Sequence, residues 1–117
     1  MVRPVVLVID DDPAMREVLT ARFFKHGGFR IGGVAADGLE GAMLAADLTP
    51  DIVVLDRDMP RWDGPRAARF IRDRCPRAHI VAFSEVLVER PPWADAFLRK
   101  SDIEGIVPLA ASVCGLP

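Results

Sequence analysis

The chain has 117 residues, half of them hydrophobic and 27% charged, and a formal net charge of −2. That length suits one domain with a single buried core, and the composition excludes a disordered or fibrous chain. The slightly acidic balance argues against a sequence-independent nucleic-acid binder, which needs a strongly basic face.

In chain order, Val5–Ile9 is a continuous run of mostly β-branched residues, the mark of a strand buried on both faces. Asp12-Pro13 supplies an N-cap and a first-turn proline for a helix carrying Met15, Val18, Leu19 and Phe23, ended by Gly27-Gly28. Ile31–Ala36 reads as a second, weaker strand. Leu39, Ala42, Met43 and Ala46 share one face of a second helix that stops before Pro50. Ile52–Leu55 is a third strand, ending in Asp56. A polar loop, Arg57–Gly64, leads to Pro65 and a third helix with Ala67, Phe70 and Ile71 inward, closed by Pro76. Ile80–Phe83 and the short Ala96–Leu98 are further strands. Ser101 and Glu104 have capping-box spacing for a last helix carrying Ile106, Val107, Ala110 and Val113, which Pro108 should kink. Strands alternating with helices predict a doubly wound α/β domain, a five-stranded parallel sheet with helices on both faces.

Cys75 and Cys114 are far apart, with no CxxC and no histidine at ligand spacing, so neither a disulfide framework nor a zinc site is expected. The N-terminal apolar run stops at Asp10, too short for a signal peptide, and no stretch approaches the ~20 apolar residues of a membrane helix. A cytoplasmic, membrane-free location is the expectation.

Open sheets of this kind bind ligands beyond the carboxyl ends of their strands, where strand order switches. In the order 2-1-3-4-5 that point lies between the first and third strands, the two that end here in aspartate: Asp10-Asp11-Asp12 and Asp56. Carboxylates converging on one crevice need a cation, and oxygen ligands in a partly hydrated site favour Mg2+. Lys100, just beyond the fifth strand, and Ser84, just beyond the fourth, reach the same edge. A carboxylate nucleophile, a divalent cation, a lysine and a hydroxyl make a phosphoryl-transfer site.

These residues in this order resemble the receiver domain of two-component response regulators. The most specific stretch is Asp-Arg-Asp-Met-Pro-Arg-Trp-Asp-Gly from Asp56 to Gly64, joined by Ala36-Asp37-Gly38-Leu39-Glu40-Gly41-Ala42 at the second helix. The resemblance implies that Asp56 accepts a phosphoryl group from a histidine kinase, a phosphotransfer protein or a small donor such as acetyl phosphate. It implies that Asp11 binds Mg2+ directly, Asp10 through water, and Asp58 through its main-chain carbonyl. Lys100 and Ser84 would each hold a phosphoryl oxygen, Pro60 and Gly64 would shape the loop after the acceptor, and Phe97 matches an aromatic switch position. With no tyrosine in the chain, such a switch acts by packing. The expected role is signalling towards a downstream protein, with no enzyme activity beyond self-phosphotransfer and self-dephosphorylation. Residues 1–117 read as one receiver domain without an output domain.

Two features depart from the family. Only ten residues, Glu85–Ala94, join the fourth and fifth strands, and Pro91-Pro92 lies among them, where a helical crossover takes at least ~10–12. The family's fourth helix is therefore expected to be a turn or two over Glu85–Arg90, or a loop, with Trp93 covering the gap. The remodelled face would suit a dimer or partner contact. Glu85, beside the switch hydroxyl, stands where the family usually has a small residue and would modulate access. These departures motivate a second reading, a degenerate receiver that binds a protein partner without phosphorylation. A third is a small phosphatase using Asp56-Arg57-Asp58 as an Asp-x-Asp pair, against which stands its place after the third strand of a short chain. Asp12 and Asp63 read as helix caps, Trp62 as a loop anchor, and the arginines from Arg57 to Arg77 as a solvated face. His26 and His79 have no evident partners.

Overall fold

The five apolar runs become β1 (Val5–Ile9), β2 (Arg30–Ala35), β3 (Ile52–Leu55), β4 (His79–Ser84) and β5 (Ala96–Arg99). All pair in parallel in the order β2-β1-β3-β4-β5, the predicted topology. The structure is a computed structural model and describes residues 2–116. Register is continuous from β1 to β5 (Val8↔Val54, Val54↔Val81, Val81↔Ala96). Between β1 and β2 it shifts at Val6/Leu7, which leaves Gly32 unpaired.

The helices are α1 (Pro13–His26), α2 (Gly38–Leu48), α3 (Gly64–Arg74) and α4 (Ile106–Val113). Strand side chains alternate between two cores. Val6, Val8, Val54, Val81 and Phe83 meet Leu19 and Phe23 of α1 and Ile106 and Ala110 of α4. Leu7, Ile9, Val53, Leu55, Ile80 and Ala82 meet Ala45 of α2 and Ala67, Ala68 and Ile71 of α3. Caps follow the sequence reading: Asp12 accepts from the Ala14 N–H, and Asp63 from that of Arg66. Gly27, at φ +81°, closes α1.

Several expectations are corrected. Ser101 and Glu104 form no capping box: after β5 the chain runs through a 3-10 segment, Lys100–Gly105, without a side-chain cap, and α4 starts only at Ile106. Pro108 thus lies in the first turn of α4, where its missing N–H is no loss, and the irregular backbone falls instead at Asp102. Met43 points out at 43% exposure, because α2 packs through Gly38, Gly41, Ala42 and Ala45. Phe70 is half-buried on the flank of α3, beside Trp62. His26 does have partners: its Nδ1 accepts the Gly28 N–H and its ring packs on Phe29.

The β4–β5 connection contains no helix. Asp95 ties it down, accepting the Ile80 N–H at 2.7 Å and pairing with Arg72 of α3 at 3.0 Å. Arg90 donates to the Ala94 carbonyl at 2.8 Å. Leu87 and Trp93 pack against the core where the helix is missing, while Val86 and Val88 stay exposed. Among the described residues no helix is long and apolar enough to cross a membrane.

Candidate functional site

The switch in strand order places the ends of β1 and β3 side by side: the Asp10 N–H donates to Ala35 and the Asp56 N–H to Ile9, so both aspartates leave the sheet at its carboxyl edge. Asp10, Asp11 and Asp56 each bring a carboxylate oxygen to within 4.8 Å of the others. Asp10 and Asp56 are buried and Asp11 is exposed, so the cluster opens to solvent on one side.

Lys100 follows β5 directly and reaches across two strands. Its Nζ lies 2.9 Å from Asp10 Oδ2 and 3.2 Å from Asp56 Oδ2, and 5.9 Å from the centre of the Phe83 ring. Burial acts to lower the Lys100 pKa, but the two carboxylates outweigh it and hold the ammonium above the ordinary lysine value. Burial, reinforced by the Asp10 charge, pushes the Asp56 pKa up from 3.8 to about 6; Lys100 and the Arg57 N–H, 2.8 Å from Asp56 Oδ1, pull against it. One ammonium therefore serves two buried carboxylates.

Asp10 Oδ1 accepts the Asp12 N–H at 2.9 Å. Oδ2 is buried and faces the Lys100 ammonium at 2.9 Å, which leaves a lone pair of this oxygen without a partner. A buried carboxylate oxygen with a free lone pair, beside two further carboxylates and an open side, fits a hard divalent cation that keeps some of its waters. The residues present thus suit Mg2+.

Ser84 is buried at the end of β4, and its Oγ accepts the Val86 N–H at 3.2 Å, which leaves the hydroxyl proton free to donate. Glu85 is exposed beside it, its carbonyl accepting from Arg99. Phe97 is half-buried on β5. The Asp58 side chain is outside the cluster and pairs with Arg57 at the surface. In the loop after β3, the Gly64 N–H donates to the Arg57 carbonyl at 2.7 Å, and a Cβ on Gly64 would stand 2.5 Å from the Asp56 carbonyl. Glycine is what lets the loop close there.

Four contacts escape the sequence reading. Arg16 Nη1 donates to the Asp10 carbonyl at 2.7 Å. Arg61 pairs with Asp37 across 24 residues. Arg66 lies over the Trp62 ring at 4.3 Å and Arg74 over Phe70 at 4.7 Å, so part of the arginine-rich face is stacked rather than simply solvated. The i, i+4 spacing of Trp62, Arg66, Phe70 and Arg74 was the available signal for the last two.

The sequence matches the family model for the response regulator receiver domain over residues 6–97. It is 42% identical over 92 residues to protein-glutamate methylesterase/protein-glutamine glutaminase 6 of Anaeromyxobacter dehalogenans, covering 79% of this chain and 25% of that protein. It is 39% identical over 77 residues to the probable C4-dicarboxylate response regulator DctR of Halalkalibacterium halodurans, covering 66% of this chain and 34% of that protein. The chain thus spans about a third or less of the length of these curated relatives. The response regulator domain of Thermotoga maritima CheB superposes with a TM-score of 0.85 at 24% identity, over 97% of this chain and 94% of that one, a likeness of fold. The Borrelia burgdorferi CheX-CheY-BeF3-Mg+2 complex gives 0.80 at 28% identity, over 93% and 87%.

Proposed function

The chain belongs to the response regulator receiver domain family, and from that premise we propose that it carries a signal by accepting a phosphoryl group on Asp56, with Mg2+. The observation that supports this most directly is the convergence of Asp10, Asp11 and Asp56 at the carboxyl edge of β1 and β3, with Lys100 shared between Asp10 and Asp56. A carboxylate oxygen of Asp56 forms the new P–O bond as the P–N bond of a phosphohistidine, or the P–O bond of acetyl phosphate, breaks. The electron pair leaves with the imidazole or the acetate. Lys100, already within reach of Asp56, then faces the phosphoryl oxygens, and Ser84 donates its free proton to one of them. Bound Mg2+ supplies positive charge against these oxygens; Asp10, Asp11, Asp56 and the Asp58 carbonyl would hold it.

The partners that fit this chemistry are a histidine kinase or phosphotransfer protein upstream and a protein target downstream, in the cytoplasm. The esterase activity in the first relative's name belongs to a protein of which this chain matches a quarter; the role proposed for this chain is signalling. The exposed Val86 and Val88 of the helix-free connector favour one second reading, a receiver that binds its target, or a second copy, without phosphorylation. The Asp-x-Asp phosphatase loses support, since the Asp58 carboxylate is engaged by Arg57 outside the cluster.

Incubation with acetyl phosphate and Mg2+, followed by intact mass, tests the proposal. One phosphoryl adduct is expected in the wild type and none in Asp56→Asn or without Mg2+. An adduct that persists in Asp56→Asn would overturn the assignment of the acceptor. No adduct from acetyl phosphate or from a phosphorylated kinase would favour the phosphorylation-independent reading.

A further inference from the structure

Arg61 lies in the loop after β3, five residues beyond Asp56, with a backbone φ of +64°. A residue with a Cβ bears a cost in that left-handed region that glycine would not. Such a conformation persists where the surroundings over-determine it. Here they do so through the side chain. Arg61 Nε and Nη2 both donate to Asp37 Oδ2, at 3.0 and 2.7 Å. The other oxygen of Asp37, Oδ1, accepts the Glu40 N–H at 2.8 Å and caps α2. Asp37 thus divides its oxygens between a helix and a loop.

The next residue of the loop docks on the next residue of the helix. A Cβ on Gly38 would stand 2.0 Å from the Trp62 carbonyl oxygen, so the loop's main chain rests directly on the first turn of α2. The paired contacts Arg61–Asp37 and Trp62–Gly38 join residues 58–62 to the start of α2, while Met59 packs against the core and the Trp62 ring against Arg66 and Phe70 of α3. The same segment contains Asp58.

We propose that the Arg61–Asp37 pair is a latch that holds the β3–α3 loop in its cation-binding form, which makes Arg61 a positioning residue for the divalent ion at the Asp10–Asp11–Asp56 cluster. The inference rests on the receiver reading. A carbonyl ligand on a free loop must be ordered when the ion binds, and that ordering subtracts from affinity. A loop already pinned has met the cost in folding. A guanidinium suits the task because two donors in one plane on the same oxygen fix direction as well as distance, which a lysine would not. The latch also ties cation binding to the start of α2, since one carboxylate both caps the helix and holds the loop.

Two substitutions separate the latch from the rest of the fold. Arg61→Gly removes the guanidinium and relieves the backbone. Asp37→Asn keeps the carbonyl oxygen that caps α2 but replaces the oxygen that accepts from Arg61 with an amide. Mg2+ binding by wild type, each single variant and the double variant is measured by titration calorimetry, beside urea unfolding in EDTA. Each single substitution is expected to weaken Mg2+ binding about five- to tenfold, on the scale of a well-formed charged pair. The double variant should be no weaker than either single one, and Arg61→Gly should keep the wild-type unfolding midpoint. Wild-type Mg2+ affinity in Arg61→Gly, or losses that add in the double variant, would overturn the latch while leaving the receiver reading intact. A wild-type protein that binds no Mg2+ would overturn the receiver reading, and the latch with it.

Discussion

Asp56→Asn should make the metal-free protein more stable at neutral pH. Two buried carboxylates share one ammonium, and the folded pKa of Asp56 stands at about 6 against an ordinary 3.8. A raised carboxyl pKa means that the folded state binds the proton more tightly than the unfolded one. Ionised Asp56 therefore penalises folding in full above about pH 6, and the penalty fades as pH falls towards 3.8. About two units at 1.36 kcal/mol each set its size near 3 kcal/mol. Asparagine removes the charge while keeping the shape, though Lys100 then keeps only Asp10, so the expected gain at pH 7.5 is about 1–3 kcal/mol. At roughly 4 °C per kcal/mol for a domain of this size, that is a rise in Tm of about 4–12 °C. Urea unfolding in EDTA at a series of pH values measures it: the gap should be full at pH 7.5, shrink through pH 6 and close near pH 4. Saturating Mg2+ should narrow the gap or reverse it, because the wild type gains about 2.7 kcal/mol at a hundredfold excess over Kd and the variant has lost a ligand. A variant no more stable than wild type at pH 7.5, or a gap that ignores pH, would refute the electrostatic account.

Lys100→Met leaves the Asp10 and Asp56 carboxylates without the ammonium they share and should cost about 2–4 kcal/mol at pH 7.5, with part of the loss recovered on acidification, read from the same urea series. Gly38→Ala forces a Cβ against the Trp62 carbonyl, a backbone atom that cannot swing aside, and should destabilise by about 1–3 kcal/mol despite alanine's better helix propensity. Asp95→Ala strips the Ile80 N–H of its acceptor and Arg72 of its partner; a loss of about 1–2 kcal/mol is expected, with hydrogen exchange at Ile80 rising to report the freed amide.

What could be read from the sequence, and what could not, follows from the range of each interaction. The strands and the acidic cluster were legible because a parallel sheet leaves few places for an aspartate at a strand end to go: Asp10 and Asp56 had to meet once β1 and β3 were neighbours. The missing crossover helix was legible from chain length and Pro91-Pro92 alone. The face of α2 was misjudged because the sequence reading favoured the bulkier Met43, whereas the helix lies so close to the sheet that Gly41 and Ala45 face inward. Ser101 and Glu104 have the spacing of a capping box, but β5 runs on to Arg99 and the chain turns through a 3-10 segment first. The Arg61–Asp37 pair bridges two loops with no periodicity to announce it. Only the fold brings those residues together.

The placement of the tryptophans has a spectroscopic consequence. The chain has two, and no tyrosine to mask them. Trp62 stands in the loop between β3 and α3, beneath the Arg66 guanidinium and edge-on to Phe70. Trp93 plugs the space where the crossover helix is missing. Near-ultraviolet emission from this protein therefore comes from the β3–α3 loop and the helix-free connector, one chromophore in each. Replacing either tryptophan with phenylalanine would leave a single-site optical probe, so that events beside the acidic cluster and at the helix-free connector can be timed separately without a label.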